Sequence, residues 1–276
     1  MHQKLFREER LQLISDLVRT RRKVHVDELA EEFKVSPSSI RIDLAELESR
    51  GLLKRTHGGA IAAAKFQSRL VTQKSSLELR RSAQQAEKLA IGRAAAGLVE
   101  EGDTLMIDGG STTLHVARYL LDKRGLTIIT TAVSLLPQLM AIPEGRIYVA
   151  GGLLDPRFET LVGDITLDSL DRFRTAKAIL GIDGISVDAG LSVTDPAVAT
   201  SKQKMMRLSD RVIIVSDHTK LDQVCLIPIA PLEKIDYLVT DSGASAEIVD
   251  AIRLCGPQVI VAPVEATGPA EVDALP

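Results

Sequence analysis

Seven short apolar runs between residues 104 and 261 constrain the fold most. They are Thr104-Leu105-Met106-Ile107, Leu126-Thr127-Ile128-Ile129, Ile147-Tyr148-Val149, Ala178-Ile179-Leu180, Val212-Ile213-Ile214-Val215, Tyr237-Leu238-Val239 and Val259-Ile260-Val261. None alternates with polar residues as a strand with one wet face would. Helix-like segments separate most of them. Such strands need cover on both faces, which predicts a mainly parallel sheet in a three-layer α/β/α body. Aromatic residues make up 3% of the chain and tryptophan is absent, so this core has to be aliphatic.

Ligands of open α/β sheets bind beyond the carboxyl ends of the strands. Here those ends run into Asp108-Gly109-Gly110-Ser111-Thr112-Thr113, Thr130-Thr131, Gly151-Gly152, Asp183-Gly184 and Ser216-Asp217-His218-Thr219-Lys220. The first is the sharpest motif. Its glycines let backbone approach a ligand, its three hydroxyls can donate, and the following helix would offer free N–H groups and a positive dipole end. That suits a phosphate group. The same residues would equally suit an ordinary strand-to-helix turn capped by Ser111. Lys202 and Lys220 are candidate counter-charges for an anion. The loop is neither a P-loop nor a dinucleotide fingerprint, and no cofactor or metal-ligand spacing is present.

The front of the chain has a different pattern. Leu11, Ile14, Leu17 and Val18 predict a helix over Glu8–Arg19, followed by the basic turn Arg21-Arg22-Lys23. Val26, Leu29, Ala30 and Phe33 predict a second helix, and Lys34-Val35 a tight turn. Ser36 reads as an N-cap and Pro37 as the first residue of a third helix, with Ile40, Leu44 and Leu47 on one face. Two short helices joined so tightly form a helix-turn-helix. Ser38, Ser39, Arg41 and Ile42 then lie where a helix in the DNA major groove would read bases. Ile42 could contact a thymine methyl or pack inward. Beyond Gly51, Leu52 to Ala60 alternates apolar and basic residues into a Gly-Gly turn. This predicts a small wing that places Lys54, Arg55 and His57 against phosphates; His57 would also suit turn chemistry beside Gly58. Residues 1–81 carry 17 lysines and arginines against 11 acids, a net +6, and the remainder 17 against 26, a net −9. A basic front on an acidic body implies that the front meets a polyanion.

From Arg10 to Ala60 the chain resembles the winged helix-turn-helix of the DeoR family of bacterial sugar-metabolism regulators. The resemblance rests on Asp27-Glu28-Leu29-Ala30, Val35-Ser36, Ile40-Arg41, Asp43-Leu44, Leu47-Glu48, Gly51 and His57-Gly58-Gly59-Ala60. The family usually has two adjacent arginines in the third helix; here Ile42 follows Arg41, so the operator sequence is not carried over. The body resembles the DeoR-type sensor domain, similar in fold to ribose-5-phosphate isomerase, through Asp108–Thr113, Gly151-Gly152, Gly181-Ile182-Asp183-Gly184-Ile185, Lys202 and Asp217–Lys220. That resemblance implies an effector site for a phosphorylated sugar built from Asp108, Gly109, Gly110, Ser111, Thr112, Thr113, Thr130, Thr131, Gly152, Asp183, Lys202 and Lys220.

The expected organisation is a DNA-binding domain over 1–60, a linker over 61–81 passing into a helix that continues through Leu98, a sensor domain over 82–262 and a flexible tail over 263–276. The expected function is a repressor of a carbohydrate-catabolism operon. It would bind double-stranded operator DNA as a homodimer or homotetramer, under control of a sugar phosphate, without catalytic residues. A phosphosugar isomerase-like enzyme with a DNA-binding appendage is the alternative, with Asp183 as its base. No signal peptide or apolar membrane span is visible, and Cys225 and Cys255 read as buried thiols, which together point to the cytoplasm.

Overall fold

In the computed structural model, residues 10, 11, 13, 14, 17, 18, 23–49, 53–56, 58–62 and 77–264 are described. Two units pack separately, Met1–Phe66 and Gln67–Pro276. The turn Arg21-Arg22, residues Gly51 and His57, most of the linker and residues 265–276 of the tail lie outside the described residues.

In the first unit, strand β1 (Lys23–His25) leads directly into helix α1 (Val26–Phe33). Lys34 ends α1 in the left-handed conformation, at φ 53°, which turns the chain sharply into helix α2 (Pro37–Ser49). Ser36 caps α2: its Oγ accepts from the Ser39 amide at 3.2 Å, and its carbonyl accepts the first helical bonds. Ile40, Leu44 and Leu47 are buried against Leu11, Ile14, Val18, Leu29 and Ala30. Asp43 is buried among them, 2.7 Å from Arg10 Nε, so its charge is paired inside the small core. Strands β2 (Leu53–Thr56) and β3 (Gly59–Ala62) form the predicted wing, and β3 also pairs with β1. Gly59 is required there, because a Cβ would lie 2.0 Å from the Val24 carbonyl oxygen.

The second unit opens with helices α3 (Leu77–Ser82) and α4 (Gln85–Ala96). The expected single helix is broken at Gln84, which adopts the left-handed conformation at φ 52°. The seven apolar runs form strands β4 (Thr104–Ile107), β5 (Thr127–Thr130), β6 (Arg146–Val149), β9 (Thr175–Gly181), β12 (Ser209–Val215), β14 (Tyr237–Asp241) and β15 (Gln258–Ala262). They make one parallel sheet in the order β15-β14-β12-β9-β4-β5-β6. Alternate residues feed two cores. Leu105, Ile107, Ile179, Ile213, Val215 and Val239 pack in the core that holds Ile91 and Ala95 of α4. Met106, Ala178, Leu180, Val212, Ile214 and Leu238 pack on the other, with Met205 of helix α8 (Pro196–Arg207) and Ile252 of helix α9 (Ala246–Leu254).

Two small antiparallel sheets escaped the sequence reading. Strands β7 (Leu153–Asp155) and β8 (Thr160–Val162) pair with each other, and β10 (Gly184–Ser186), β11 (Gly190–Val193) and β13 (Ile227–Ala230) form a three-stranded sheet. Their strands are too short for an alternation pattern to emerge. Helix α5 (Ser111–Tyr119) follows β4, helix α6 (Leu136–Leu139) follows β5, and helix α7 (Asp164–Leu170) follows β8. Among the described residues no helix is long and apolar enough to cross a membrane. Cys225 and Cys255 are half-buried rather than buried.

Candidate functional site

In the first unit, the capped end of α2 presents an outward surface. Ser36, Ser38 and Arg41 are exposed and Ser39 is half-buried. Ile42 is 60% exposed, so it does not pack inward. Arg55 is exposed on β2, its amide donating to Glu48 Oε1 at 2.8 Å, which ties the wing to the end of α2. Lys54 lies on the same strand opposite Ile61.

In the second unit, the chain order of the strands reverses between β4 and β9: the chain runs from β4 to β5 and β6, then returns to β9 on the other side of β4. Crevices open at such points, beyond the carboxyl ends of the strands. Here Asp108 follows β4, Gly181 ends β9 and Ser216 follows β12. The Gly181 amide donates to Asp108 Oδ1 and Oδ2 at 3.1 and 3.2 Å. Lys202, from α8, donates to the Asp108 carboxylate and to the Gly181 carbonyl, the latter at 3.0 Å. Burial pushes the Asp108 carboxyl above its usual pKa, and the Lys202 ammonium opposes that shift.

A cleft enclosing roughly 930 Å³, its solvent-filled mouth included, spreads from this pair. Gly109, Gly110, Ser111, Thr112, Asp183, Lys202 and Lys220 all line it. The start of α5 faces it without a side-chain cap. Thr113 lies beneath, fully buried, its Oγ1 donating to the Gly110 carbonyl at 3.1 Å. Thr131 lines a smaller recess beside the cleft, together with Asp108, Thr160, Ser201 and Lys202. Asp183 accepts from the Thr194 amide and hydroxyl, both at 3.0 Å. Three of the expected site residues fall outside both cavities: Thr113, beneath the cleft, and Thr130 and Gly152. Thr130 is fully buried and spends its hydroxyl on the Ile107 carbonyl at 2.7 Å. Gly152 has φ +132° and packs against Thr166, where a Cβ would meet Oγ1 at 1.9 Å. Its glycine is explained by backbone packing.

Sequence reasoning missed several lining residues. Arg80 and Phe158 reach the cleft, the guanidinium 5.3 Å over the ring, because the break at Gln84 sets α3 beside it. Lys88 is 3% exposed and donates to the carbonyls of Arg80 and Ala83 at the end of α3. Burial lowers its pKa, and Asp217 counters part of that. Its position was readable: Lys88, Ile91, Gly92 and Ala95 share the buried face of α4, where a lysine needs a reason. The cleft therefore collects Arg80, Lys88, Lys202 and Lys220 against Asp183 and Asp217.

A family profile for the DeoR C terminal sensor domain matches residues 83–242, and one for the DeoR-like helix-turn-helix domain matches residues 10–66. The chain belongs to the DeoR family. The transcriptional repressor AccR of Agrobacterium fabrum (strain C58 / ATCC 33970) is 35% identical over 86% of this chain and 90% of its own. The glycerol-3-phosphate regulon repressor of Escherichia coli (strain K12) is 33% identical over 87% of this chain and 92% of its own. Among solved structures, ribose 5-phosphate isomerase A of Methanocaldococcus jannaschii is 17% identical, covering 49% of this chain and 53% of its own at a TM-score of 0.35. This DeoR-family chain is a DNA-binding transcriptional repressor rather than an enzyme, which sets aside the isomerase alternative.

Proposed function

We propose that this repressor acts on a carbohydrate-catabolism operon and that a phosphorylated sugar, bound in the cleft of the second unit, controls its grip on operator DNA. The observation that carries the reading is the meeting of the uncapped start of α5 with Arg80, Lys88 and Lys220 around one opening, with Lys202 in its wall paired to Asp108. Helix-start amides and several cations together suit a phosphate. The Ser111 and Thr112 hydroxyls add donors. The name of the Escherichia coli relative, a glycerol-3-phosphate regulon repressor, is in keeping with a phosphorylated ligand.

Ser36, Ser38, Ser39, Arg41 and Ile42 would face the major groove, with Lys54, Arg55 and His57 against the backbone. Two-fold operators need two such modules, so the working form is a homodimer or homotetramer in the cytoplasm. To be a useful switch, the effector must bias operator affinity by about 1–3 kcal/mol. The test is a thermal-shift screen of phosphorylated sugars with the full chain, followed by operator gel shifts with each stabilising compound. A ligand bound to the native state raises its melting temperature. A screen in which no phosphorylated sugar does so would reject the reading.

A further inference from the structure

Two buried hydroxyls stand in the walls of this site without a hydrogen-bond partner. Ser201 Oγ on α8 and Ser216 Oγ just beyond β12 are each unpaired, in residues 6% and 2% exposed. Their neighbours behave differently: Thr113, Thr130, Thr160 and Thr166 each donate to a backbone carbonyl. Thr200, one residue before Ser201 on the same helix, bonds back to the Pro196 carbonyl at 3.2 Å. Ser201 does not make the equivalent bond. A buried hydroxyl without a partner is destabilising, and two within one site call for an explanation.

Their placement supplies one. Ser201 lines the inner recess and Ser216 the outer cleft, and Lys202 and Gly109 border both cavities. The recess is walled on its other sides by Leu161, Val162 and Val198. Its charges are the Asp108–Lys202 pair, which neutralise each other. Such a recess suits a neutral hydroxyl group and offers nothing to a second phosphate or a carboxylate.

We infer that Ser201 and Ser216 read hydroxyl groups of the effector, which is a monophosphate whose far end is a neutral, hydroxyl-bearing carbon skeleton. The inference rests on the phosphate reading above and adds to it which side chains select the sugar. The phosphate lies at the start of α5, the carbon skeleton runs past Ser216 and Lys202, and a single hydroxyl group reaches the recess at Ser201, which has room for about one water-sized group.

The test is calorimetric titration of the full chain with inorganic phosphate, ribose 5-phosphate, 2-deoxyribose 5-phosphate, glucose 6-phosphate, 2-deoxyglucose 6-phosphate and 6-phosphogluconate. At least one neutral-ended sugar monophosphate binds more tightly than inorganic phosphate, and 6-phosphogluconate binds less well than glucose 6-phosphate. Ser201→Ala and Ser216→Ala each weaken the sugar monophosphate about tenfold, the worth of one hydrogen bond. Both leave inorganic phosphate within about twofold and do not lower the melting temperature, since neither hydroxyl bonds to the protein. Unchanged sugar affinity in both variants, or a lower melting temperature with unchanged affinity, overturns the role of the serines and leaves phosphate binding standing. A loss confined to one variant supports that serine and removes the other. Binding of neither phosphate nor sugar phosphate rejects both readings.

Discussion

The ammonium of Lys202 and the carboxylate of Asp108, 94 residues apart in the chain, form a buried ion pair where the strand order reverses. Removing one member of such a pair strands the other charge, typically at a cost of about 3–5 kcal/mol. Lys202→Met should therefore lower stability strongly, and most of all at alkaline pH. Burial already raises the Asp108 pKa above its ordinary 3.8, and losing Lys202 raises it further. An acid raised on folding favours the folded state below its unfolded pKa and loses that contribution as pH rises to the folded value. Urea denaturation from pH 5 to 8 should show the gap between variant and parent widening with pH; a constant gap would count against a stranded carboxylate.

His115 gives the opposite pH signature. It is buried on α5 with Nδ1 unpartnered, and burial, Arg118 and Lys88 lower its pKa from 6.5 to about 4. Below pH 6.5 the unfolded chain takes up a proton that the folded chain refuses. Stability present at pH 7 is thus lost as pH falls toward 4, by up to about 3 kcal/mol for this group. His115→Gln should flatten the slope of stability between pH 6.5 and 4.5, measured by thermal unfolding at each pH.

Lys88 holds the end of α3 through the carbonyls of Arg80 and Ala83. Lys88→Met leaves those carbonyls without their donor, at about 1–3 kcal/mol, and removes a cation from the cleft. Hydrogen exchange should speed up in α3 before it does in the sheet, and inorganic phosphate should bind less tightly. Unchanged exchange in α3 would mean that the lysine does not pin this helix.

The outer face of α2 should separate binding from folding. Arg41 and Ile42 are exposed, so Arg41→Ala and Ile42→Ala should leave stability within about 0.5 kcal/mol. Arg41→Ala should weaken operator binding by about 1–3 kcal/mol if it contacts a base, read as about a 5- to 150-fold shift in a gel-shift titration. Ser36→Ala should instead lower stability by about 1 kcal/mol through the lost cap.

Much of this was legible locally. The seven apolar runs became the seven strands of the parallel sheet because a strand covered on both faces must be apolar at every position. Ser36-Pro37 marked the start of α2 because a cap and a first-turn proline act within four residues. The Asp108–Thr113 loop was readable from its glycines and hydroxyls, and its place beyond β4 followed from the strand pattern.

What stayed hidden depends on contacts across long separations. Nothing near Gly152 says that its missing side chain makes room for Thr166 rather than for a ligand. Nothing in the polar stretch before Gln85 says that a left-handed Gln84 breaks the helix and swings Arg80 over Phe158. Ser201 and Ser216 look like any other serines until their neighbours are counted and no partner is found. The sequence by itself determined the strands of the parallel sheet, the helix-turn-helix and the glycine- and hydroxyl-rich loop after β4, because periodicity, capping and glycine placement act within a few residues. Only the tertiary structure decided which side chains meet in the cleft and which hydroxyls stay unpaired, because parallel strands bring distant loops to one edge.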